Sequence, residues 1–263
     1  MNGVSWLEKL GGAALENWRE LRQLLGFAYA VFRRLFSRAS YRPLTVDILT
    51  TQIYFTAVQL LGFFIVVSIL FGSLFIGMTL FVIKEIGLTE YIGQFIAGVV
   101  VLEMAPIMTT LLIALRSGSA INAEMAVMKA NRELDALAAF DIDIAQYLFL
   151  PRIIAVMVSV VLLSSLFAII VTLSGLLFSA LIFGMGFNAY ADIIAKAIEY
   201  KDFLILMVKS AAFGFFITFI PLYYGSRAGY QLTAVPVAVL RGMVNVFIAI
   251  VVIEVLSLVA RFL

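Results

Sequence analysis

Two long stretches of the sequence contain no charged residue. Residues 48–83 form a run of 36 residues without Asp, Glu, Lys or Arg, and residues 153–191 form a second run of 39. About 20 apolar residues are enough to cross a bilayer as a helix. The chain is 64% hydrophobic and 13% charged, whereas charged residues make up about a quarter of an average soluble domain. These features predict an all-α protein that crosses a membrane several times.

The positions of charged and turn-forming residues predict five membrane-spanning helices in one transmembrane domain, residues 47–263. The predicted spans cover residues 53–83, 91–115, 153–183, 203–224 and 242–260. Residues 188–200 are expected to form a short helix outside the bilayer, with Asn188 as its cap. Residues 1–46 combine seven basic residues with apolar and aromatic ones. They predict a helical segment lying in the lipid headgroups, and a helix packed on the protein core is an equally compatible alternative.

A polar stretch, residues 116–152, separates the second and third predicted spans. It holds nine of the 34 charged residues of the chain. Within it Ile121, Met125, Met128 and Leu134 recur at helical spacing, which predicts one or two amphipathic helices outside the bilayer. A solvated connection needs no apolar face, so this face indicates a surface on which something docks. A helix lying against its own protein or against lipid headgroups is the alternative.

The basic residues divide unequally between the two sides of such a topology. Thirteen of them fall on the side of the N-terminus and the polar stretch, and four fall on the opposite side. Loops rich in Lys and Arg stay in the cytosol. We therefore predict a multi-pass inner-membrane protein whose N-terminus and polar stretch are cytosolic and whose C-terminus is external.

Three charged residues lie inside predicted spans: Glu103, Lys209 and Glu254. A charge at the middle of a span costs roughly 3 kcal/mol, so Glu103 is expected to face a transport pathway or to be a buried, hydrogen-bonded acid. Lys209 lies near the end of its span, where its long side chain can alternatively reach water. Pro106 is expected to kink its helix or to free a nearby carbonyl group.

The chain contains neither cysteine nor histidine. This excludes thiol nucleophiles, disulfides, imidazole bases and the usual zinc sites, so we expect no catalytic residue, metal or cofactor in this chain. It also lacks a G-x-x-x-x-G-K-[ST] loop, so any ATP hydrolysis must come from a partner subunit that binds ATP and Mg. An apolar chain with a docking helix between spans indicates a permease driven by a separate ATPase.

Two other classes of protein are alternatives to a permease. An intramembrane enzyme is disfavoured because no G-x-S-x-G motif and no pair of aspartates within spans occurs. An ion-coupled secondary transporter is the main alternative, with Glu103, Lys209 and Glu254 as a charge relay. The small number of spans and the lack of a visible inverted repeat count against it.

Several short motifs occur in a fixed order along the chain. They are FIGM at 75–78, LEMAP at 102–106, RSGSA at 116–120, AEMAVM at 123–128, ELDAL at 133–137, LPR at 150–152 and VKS at 208–210. This series resembles the MlaE family, the permease subunits of MCE-associated ABC lipid transporters. The resemblance runs from about residue 71 to the C-terminus. One departure is Leu102, since the family often has a basic residue before this glutamate.

The resemblance implies a homodimer that binds two cytosolic ABC ATPase subunits through the polar stretch and an MCE-domain lipid-binding protein on the external face. The implied substrate is a phospholipid moved between the inner membrane and the outer envelope, and no nucleic acid is expected. We predict a lipid pathway that includes Glu103, Lys209, Phe75 and Met78. The residues predicted to couple to the ATPase, one apolar face with flanking charges, are Glu124, Met125, Met128, Arg132 and Glu133.

Overall fold

The computed structural model describes residues 22, 26–29, 31, 33–34, 43–87, 91–184 and 186–262, and this part of the chain is helical, without a strand. Five helices are long and apolar enough to cross a membrane. They are span 1 (Asp47–Ile86), span 2 (Ile92–Ala130), span 3 (Ala145–Ala180), span 4 (Tyr200–Ser226) and span 5 (Leu232–Arg261). The predicted all-α, five-span architecture is confirmed.

Several spans contain short π-helical turns between α-helical parts. Span 1 begins within α1 (Pro43–Ile53) and continues through a π-helical turn (Tyr54–Val58) and α2 (Leu61–Ile86). Span 2 runs through α3 (Ile92–Phe95), a π-helical stretch (Ile96–Met104), α4 (Ala105–Ile113), a second π-helical turn (Ala114–Gly118) and α5 (Ser119–Ala130). The remaining elements are α6 (Glu133–Ala139), a π-helical turn (Ala145–Phe149), α7 (Leu150–Phe183), α8 (Phe187–Ala197), α9 (Tyr200–Ser226), a 3-10 turn (Leu232–Ala234) and α10 (Val235–Phe262).

Span 4 is the central helix and packs on spans 2, 3 and 5, whereas span 1 packs mainly on span 3. Glycines lie where helices cross closely. A Cβ atom on Gly214 would lie 2.6 Å from the Cα atom of Met157, and one on Gly72 would lie 2.8 Å from the Cα atom of Val171. In membranes, small residues of this kind let helix backbones approach each other.

The described residues of the N-terminal segment pack on the protein. The Phe27 ring lies 5.2 to 5.5 Å from the rings of Phe149, Phe219 and Tyr223, and Val31 is 1% exposed. For these residues the structure has the alternative arrangement, a helix packed on the core. Of the predicted headgroup segment, residues 1–46, the ranges 1–21, 23–25 and 35–42 and residues 30 and 32 lie outside the described residues.

The polar stretch differs from its prediction. Span 2 was predicted to end at residue 115, but the helix continues without a break to Ala130. The helix passes through the π-helical turn Ala114–Gly118 without interruption, and Gly118 itself has a right-handed helical conformation. One face of α5, formed by Ile121, Asn122, Met125 and Ala126, is buried against spans 4 and 5. The apolar face of this helix is therefore covered by its own chain.

Two helix starts also differ from prediction. Span 5 begins at Leu232 and not at residue 242, because Pro236 is accepted in the first turn, where its missing N–H would be unpaired anyway. The short external helix begins at Phe187 after the N-cap Gly186, so Asn188 lies inside it. The buried Tyr190 docks this helix by donating a hydrogen bond to the Thr172 carbonyl oxygen at 3.2 Å. Burial raises the pKa of Tyr190 to about 12.

Candidate functional site

Pro106 interrupts the hydrogen bonding of span 2 close to Glu103. Because proline has no N–H, the carbonyl group four residues earlier, that of Leu102, receives no helical hydrogen bond from it. The preceding residues Ile96–Met104 are π-helical. The Leu102 oxygen accepts a hydrogen bond from Lys209 Nζ at 3.2 Å. A carbonyl that accepts from a side chain at this place agrees with the prediction that Pro106 frees a nearby carbonyl.

Lys209 is the centre of a charged cluster between spans 2, 4 and 5. The residue is 4% exposed. Its Nζ atom also contacts Glu103 Oε2 and donates to Glu254 Oε1 at 2.9 Å. Lysine has three N–H donors, and each now has an acceptor. Lys209 therefore points into the protein and does not reach towards water at the end of its span.

Arg261 approaches the same cluster from the end of span 5. Its Nη1 atom lies 3.3 Å from Glu103 Oε1 and 3.3 Å from the Gly98 carbonyl oxygen. Gly98 makes this approach easier, because a Cβ atom there would lie only 3.2 Å from Arg261 Nη2. The Arg261 side chain is 36% exposed, compared with 3% for that of Lys209. The guanidinium group is thus the outermost cation of the group.

We name these four residues, Glu103, Lys209, Glu254 and Arg261, the ion cluster. It pairs two carboxylates with two cations, so its formal charges balance. The carboxylate side chains are 16% and 17% exposed. Charged groups inside a membrane protein pair with one another because an isolated one is costly. The cluster therefore ties three spans together, and none of its members is an isolated charge.

An open, largely apolar groove lies beside the ion cluster between spans 4 and 5. Its volume is about 580 Å³. Its walls include the apolar side chains of Leu204, Val208, Ile253 and Leu256, and its two cations are Lys209 and Arg261. Val208 and Leu256 are 70% and 62% exposed. A groove with apolar walls and a cation near one end suits an amphiphile, a molecule with an apolar chain and an anionic head.

The predicted lipid-pathway residues do not all lie at this site. Glu103 and Lys209 meet in the ion cluster. Phe75 is half-buried and stacks on Phe71 within span 1, and Met78 is 73% exposed. Span 1 packs mainly on span 3, so the structure does not bring Phe75 and Met78 to the ion cluster. Their assignment to a lipid pathway stays a prediction.

The predicted coupling residues divide into buried and accessible ones. Met125 is 0% exposed, and its Cβ atom lies 2.6 Å from where a Cβ atom on Gly225 would be. Met125 therefore packs inside the chain, and its predicted role in coupling to an ATPase stays a prediction. Met128 is half-buried against the core. Arg132 and Glu133 are exposed, and Glu124 is paired with Arg152 at 2.5 Å.

Sequence reasoning missed the part that Arg261 plays in this site. Its position at the end of a span was counted only as an external positive charge. The signal that was available is Gly98, five residues before Glu103, since a glycine there permits close approach of a bulky group. Leu102 is 1% exposed and packs in the core. The second cation of the cluster therefore comes from span 5 and not from the residue before Glu103.

The fold and the site define a multi-pass α-helical membrane protein with an ion cluster beside an open apolar groove. The family model "Permease MlaE" matches residues 49–260. This chain belongs to the MlaE permease family. It is therefore a membrane transport subunit of the ABC permease type.

Three relatives illustrate the range of the family. The chain is 28% identical over 228 residues to the Intermembrane phospholipid transport system permease protein MlaE of Haemophilus influenzae, covering 84% of each chain. It is 30% identical over 210 residues to a probable ABC transporter permease protein of Rickettsia typhi, covering 77% of this chain and 78% of the relative. It is also 30% identical over 192 residues to the chloroplastic Protein TRIGALACTOSYLDIACYLGLYCEROL 1 of Arabidopsis thaliana. That match covers 68% of this chain but only about half, 54%, of the plant protein.

Proposed function

We propose that this chain is the permease of an ABC transporter that moves phospholipid between the inner membrane and the outer envelope. The observation that carries the proposal is the ion cluster beside the apolar groove between spans 4 and 5. The apolar walls suit an acyl chain, and a partly exposed cation suits an anionic head. The printed name of the Haemophilus relative, a phospholipid transport permease, supports the same substrate class.

The chain is proposed to act as a homodimer, with a shared lipid cavity between two copies. Span 5 supports this proposal, because 17% of its most apolar stretch is buried, compared with 56% in span 4. Its exposed side chains, which include Leu240, Ile248, Val251 and Leu256, form an apolar face. A second copy packed on this face would enclose the groove and the ion cluster. An MCE-domain protein is proposed to receive lipid at the external end.

ATPase subunits that bind ATP and Mg are proposed to dock on the exposed side of the polar stretch. Arg132 and Glu133 are exposed there, and Phe140, seven residues after Glu133, is 79% exposed. An exposed aromatic residue with flanking charges is typical of an anchor that fits a partner's pocket. We therefore shift the apolar anchor of this surface from the buried Met125 to Phe140.

The test is purification of the full chain from its native membrane, with a tag at its N-terminus. We expect a nucleotide-binding ATPase subunit and phospholipid to be isolated with it, and ATP to be needed for lipid transfer in vesicles. Arg132→Glu and Phe140→Asp should each release the ATPase while the permease stays folded. Tyr200→Asp is the matched control, because Tyr200 is also 79% exposed but lies at the other end of the spans.

Membrane orientation is a further part of the proposal. Asn131 and Asn188 are both exposed, so single cysteines placed there should be reachable by reagents. We expect Asn131→Cys to react only after the cells are opened and Asn188→Cys to react in intact cells. Reaction of the Asn131 variant in intact cells would overturn the proposed orientation.

The ion-coupled secondary transporter remains the second candidate, because the structure does bring Glu103, Lys209 and Glu254 together. A proton relay is typical of buried carboxylates in transporters. The two functions separate in vesicles that contain the chain alone. Transport driven by a pH gradient without ATPase or ATP would favour the secondary transporter and contradict the proposed ABC permease.

A further inference from the structure

The donors of Lys209 are already engaged inside the protein. Its three N–H groups have acceptors on the Leu102 carbonyl, Glu103 and Glu254. The side chain is 3% exposed. A phosphate group that approached Lys209 would have to displace one of these acceptors. Lys209 is therefore suited to hold the cluster together and is poorly suited to contact a ligand.

Arg261 has donors to spare. A guanidinium group has five N–H donors, and both contacts of Arg261 within the described chain use Nη1. The N–H groups of Nη2 and Nε consequently have no acceptor in this part of the protein. With 36% of its side chain exposed, Arg261 presents these donors at the lining of the groove.

The groove places Arg261 at one end of an apolar track. Ile253, Leu256 and Ser257 line it on span 5, and Ile253 lies eight residues before Arg261. At 1.5 Å per residue this separation is about 12 Å. The groove therefore combines a guanidinium group with an apolar wall long enough for a substantial part of one acyl chain.

We propose that Arg261 binds the phosphate group of the phospholipid, while the acyl chain of that lipid lies along the groove between spans 4 and 5. This inference rests on the proposed function, because it names the residue that recognises the transported lipid. Arginine suits the role since its planar group donates two parallel hydrogen bonds to a phosphate. Glu103 orients the guanidinium through Nη1 and leaves the other edge to the lipid.

A purely structural role of Arg261 makes a different prediction. If Arg261 served only to balance the charge of Glu103, then removing both charges in Glu103→Gln with Arg261→Gln would restore lipid binding. If Arg261 contacts phosphate, the double variant stays deficient. The lipid headgroup provides a second distinction, because diacylglycerol shares the acyl chains of a phospholipid but has no phosphate.

The experiment measures lipid bound to the purified full chain by native mass spectrometry, with dioleoyl phosphatidylglycerol and dioleoylglycerol as probes. We expect Arg261→Gln to weaken phosphatidylglycerol binding about tenfold or more, the factor for one hydrogen bond to a charged group. Diacylglycerol binding should not change. Arg261→Lys should retain part of the binding. Arg241→Gln is the matched control, since Arg241 is an exposed arginine 20 residues before Arg261 in the same span.

The possible results distinguish failure of this inference from failure of the proposed function. Equal phosphatidylglycerol binding by wild type and Arg261→Gln, or recovery of binding in the double variant, would overturn the inference and leave the proposed function standing. Equal weakening of both probes in Arg261→Gln would also overturn it, because a general loss of structure does not depend on phosphate. Wild-type protein that binds and transfers no phospholipid would overturn the proposed function itself.

Discussion

Two regions of this molecule contain ion pairs in contrasting surroundings, one buried and one exposed to solvent. The ion cluster joins residues 45 to 158 positions apart in the sequence and keeps its Lys209 side chain 3% exposed. At the far end of span 2, Lys129 and Asp135 pair at 2.8 Å over six positions, and the Asp135 side chain is 47% exposed. The chemistry of the pairs is the same, but the surroundings differ.

This difference in exposure determines how much each ion pair contributes to the free energy of unfolding. Removing one partner of a buried pair leaves an uncompensated charge and costs about 3 to 5 kcal/mol. An exposed pair contributes little to stability because water and salt already stabilise both ions. The ion cluster should therefore respond to single substitutions as a unit, whereas the Lys129–Asp135 pair should hardly respond.

The largest effect is expected for Lys209→Met. This substitution leaves the carboxylates of Glu103 and Glu254 without their shared cation. We expect a loss of about 3 to 5 kcal/mol of stability, measured as early thermal unfolding of the purified protein in detergent. Transport should fail together with assembly.

The control for this substitution restores the charge balance of the cluster. Lys209→Met combined with Glu254→Gln keeps the pair of Glu103 and Arg261, leaves no uncompensated charge and should recover most of the stability. If the double variant unfolded as early as Lys209→Met, the loss would come from packing around Lys209 and the charge argument would be wrong.

The next effect is expected for Met125, a buried position of the polar stretch that can be compared with an exposed one. Met125 is 0% exposed and Val127, two residues on, is 36% exposed. Met125→Ala should cost about 3 kcal/mol because it opens a cavity against spans 4 and 5. Val127→Ala should change stability by less than about 0.5 kcal/mol. Equal stabilities of the two variants in thermal unfolding would show that α5 is not packed on the spans as described.

Some features of the fold and of the ion cluster can be predicted from the sequence. Both ends of span 4 and the C-terminal end of span 3 lie within three residues of their predicted positions, because uncharged apolar runs have few alternative structures. Span 3 begins at Ala145, eight residues before its predicted start. The missing N–H of Pro106 predicted a carbonyl acceptor nearby, and the Leu102 oxygen accepts a hydrogen bond from Lys209. Glu103 and Lys209 were expected in one pathway, and the structure places them in contact.

Other features depend on which face of a helix meets which neighbour. Span 1 is apolar all round, so its sequence did not reveal that Met78 points outward. The polar residues of α5 suggested a helix outside the bilayer, but its buried face packs on two spans through Gly225 and Gly242. Arg261 was counted as a surface charge because its partner Glu103 lies 158 positions away.

A smaller effect is expected when alanine replaces a glycine in each region, Gly225 beside α5 and Gly98 beside the ion cluster. A Cβ atom on Gly225 would lie 2.7 Å from the Asn122 carbonyl oxygen, a backbone atom that cannot move alone. Gly225→Ala should therefore cost about 1 to 3 kcal/mol through overpacking. A Cβ atom on Gly98 would meet the flexible end of Arg261 at 3.2 Å, so Gly98→Ala should unfold at nearly the wild-type temperature. The reverse order of unfolding temperatures would contradict this picture of α5.

The smallest effect is expected for Asp135→Asn. The hydrogen bond from Lys129 lowers the pKa of Asp135 below its ordinary value. A lowered pKa in the folded state means that the pair contributes stability above the ordinary pKa of about 4, and that this contribution disappears as the pH falls through the folded pKa. Wild type should therefore unfold at a slightly higher temperature than Asp135→Asn at pH 7, and the difference should vanish in strong acid. High salt at pH 7 should reduce the difference as well, because the pair is exposed to solvent. A difference that grew as the pH fell would have the opposite sign and would show that Lys129 does not stabilise the ionised form of Asp135.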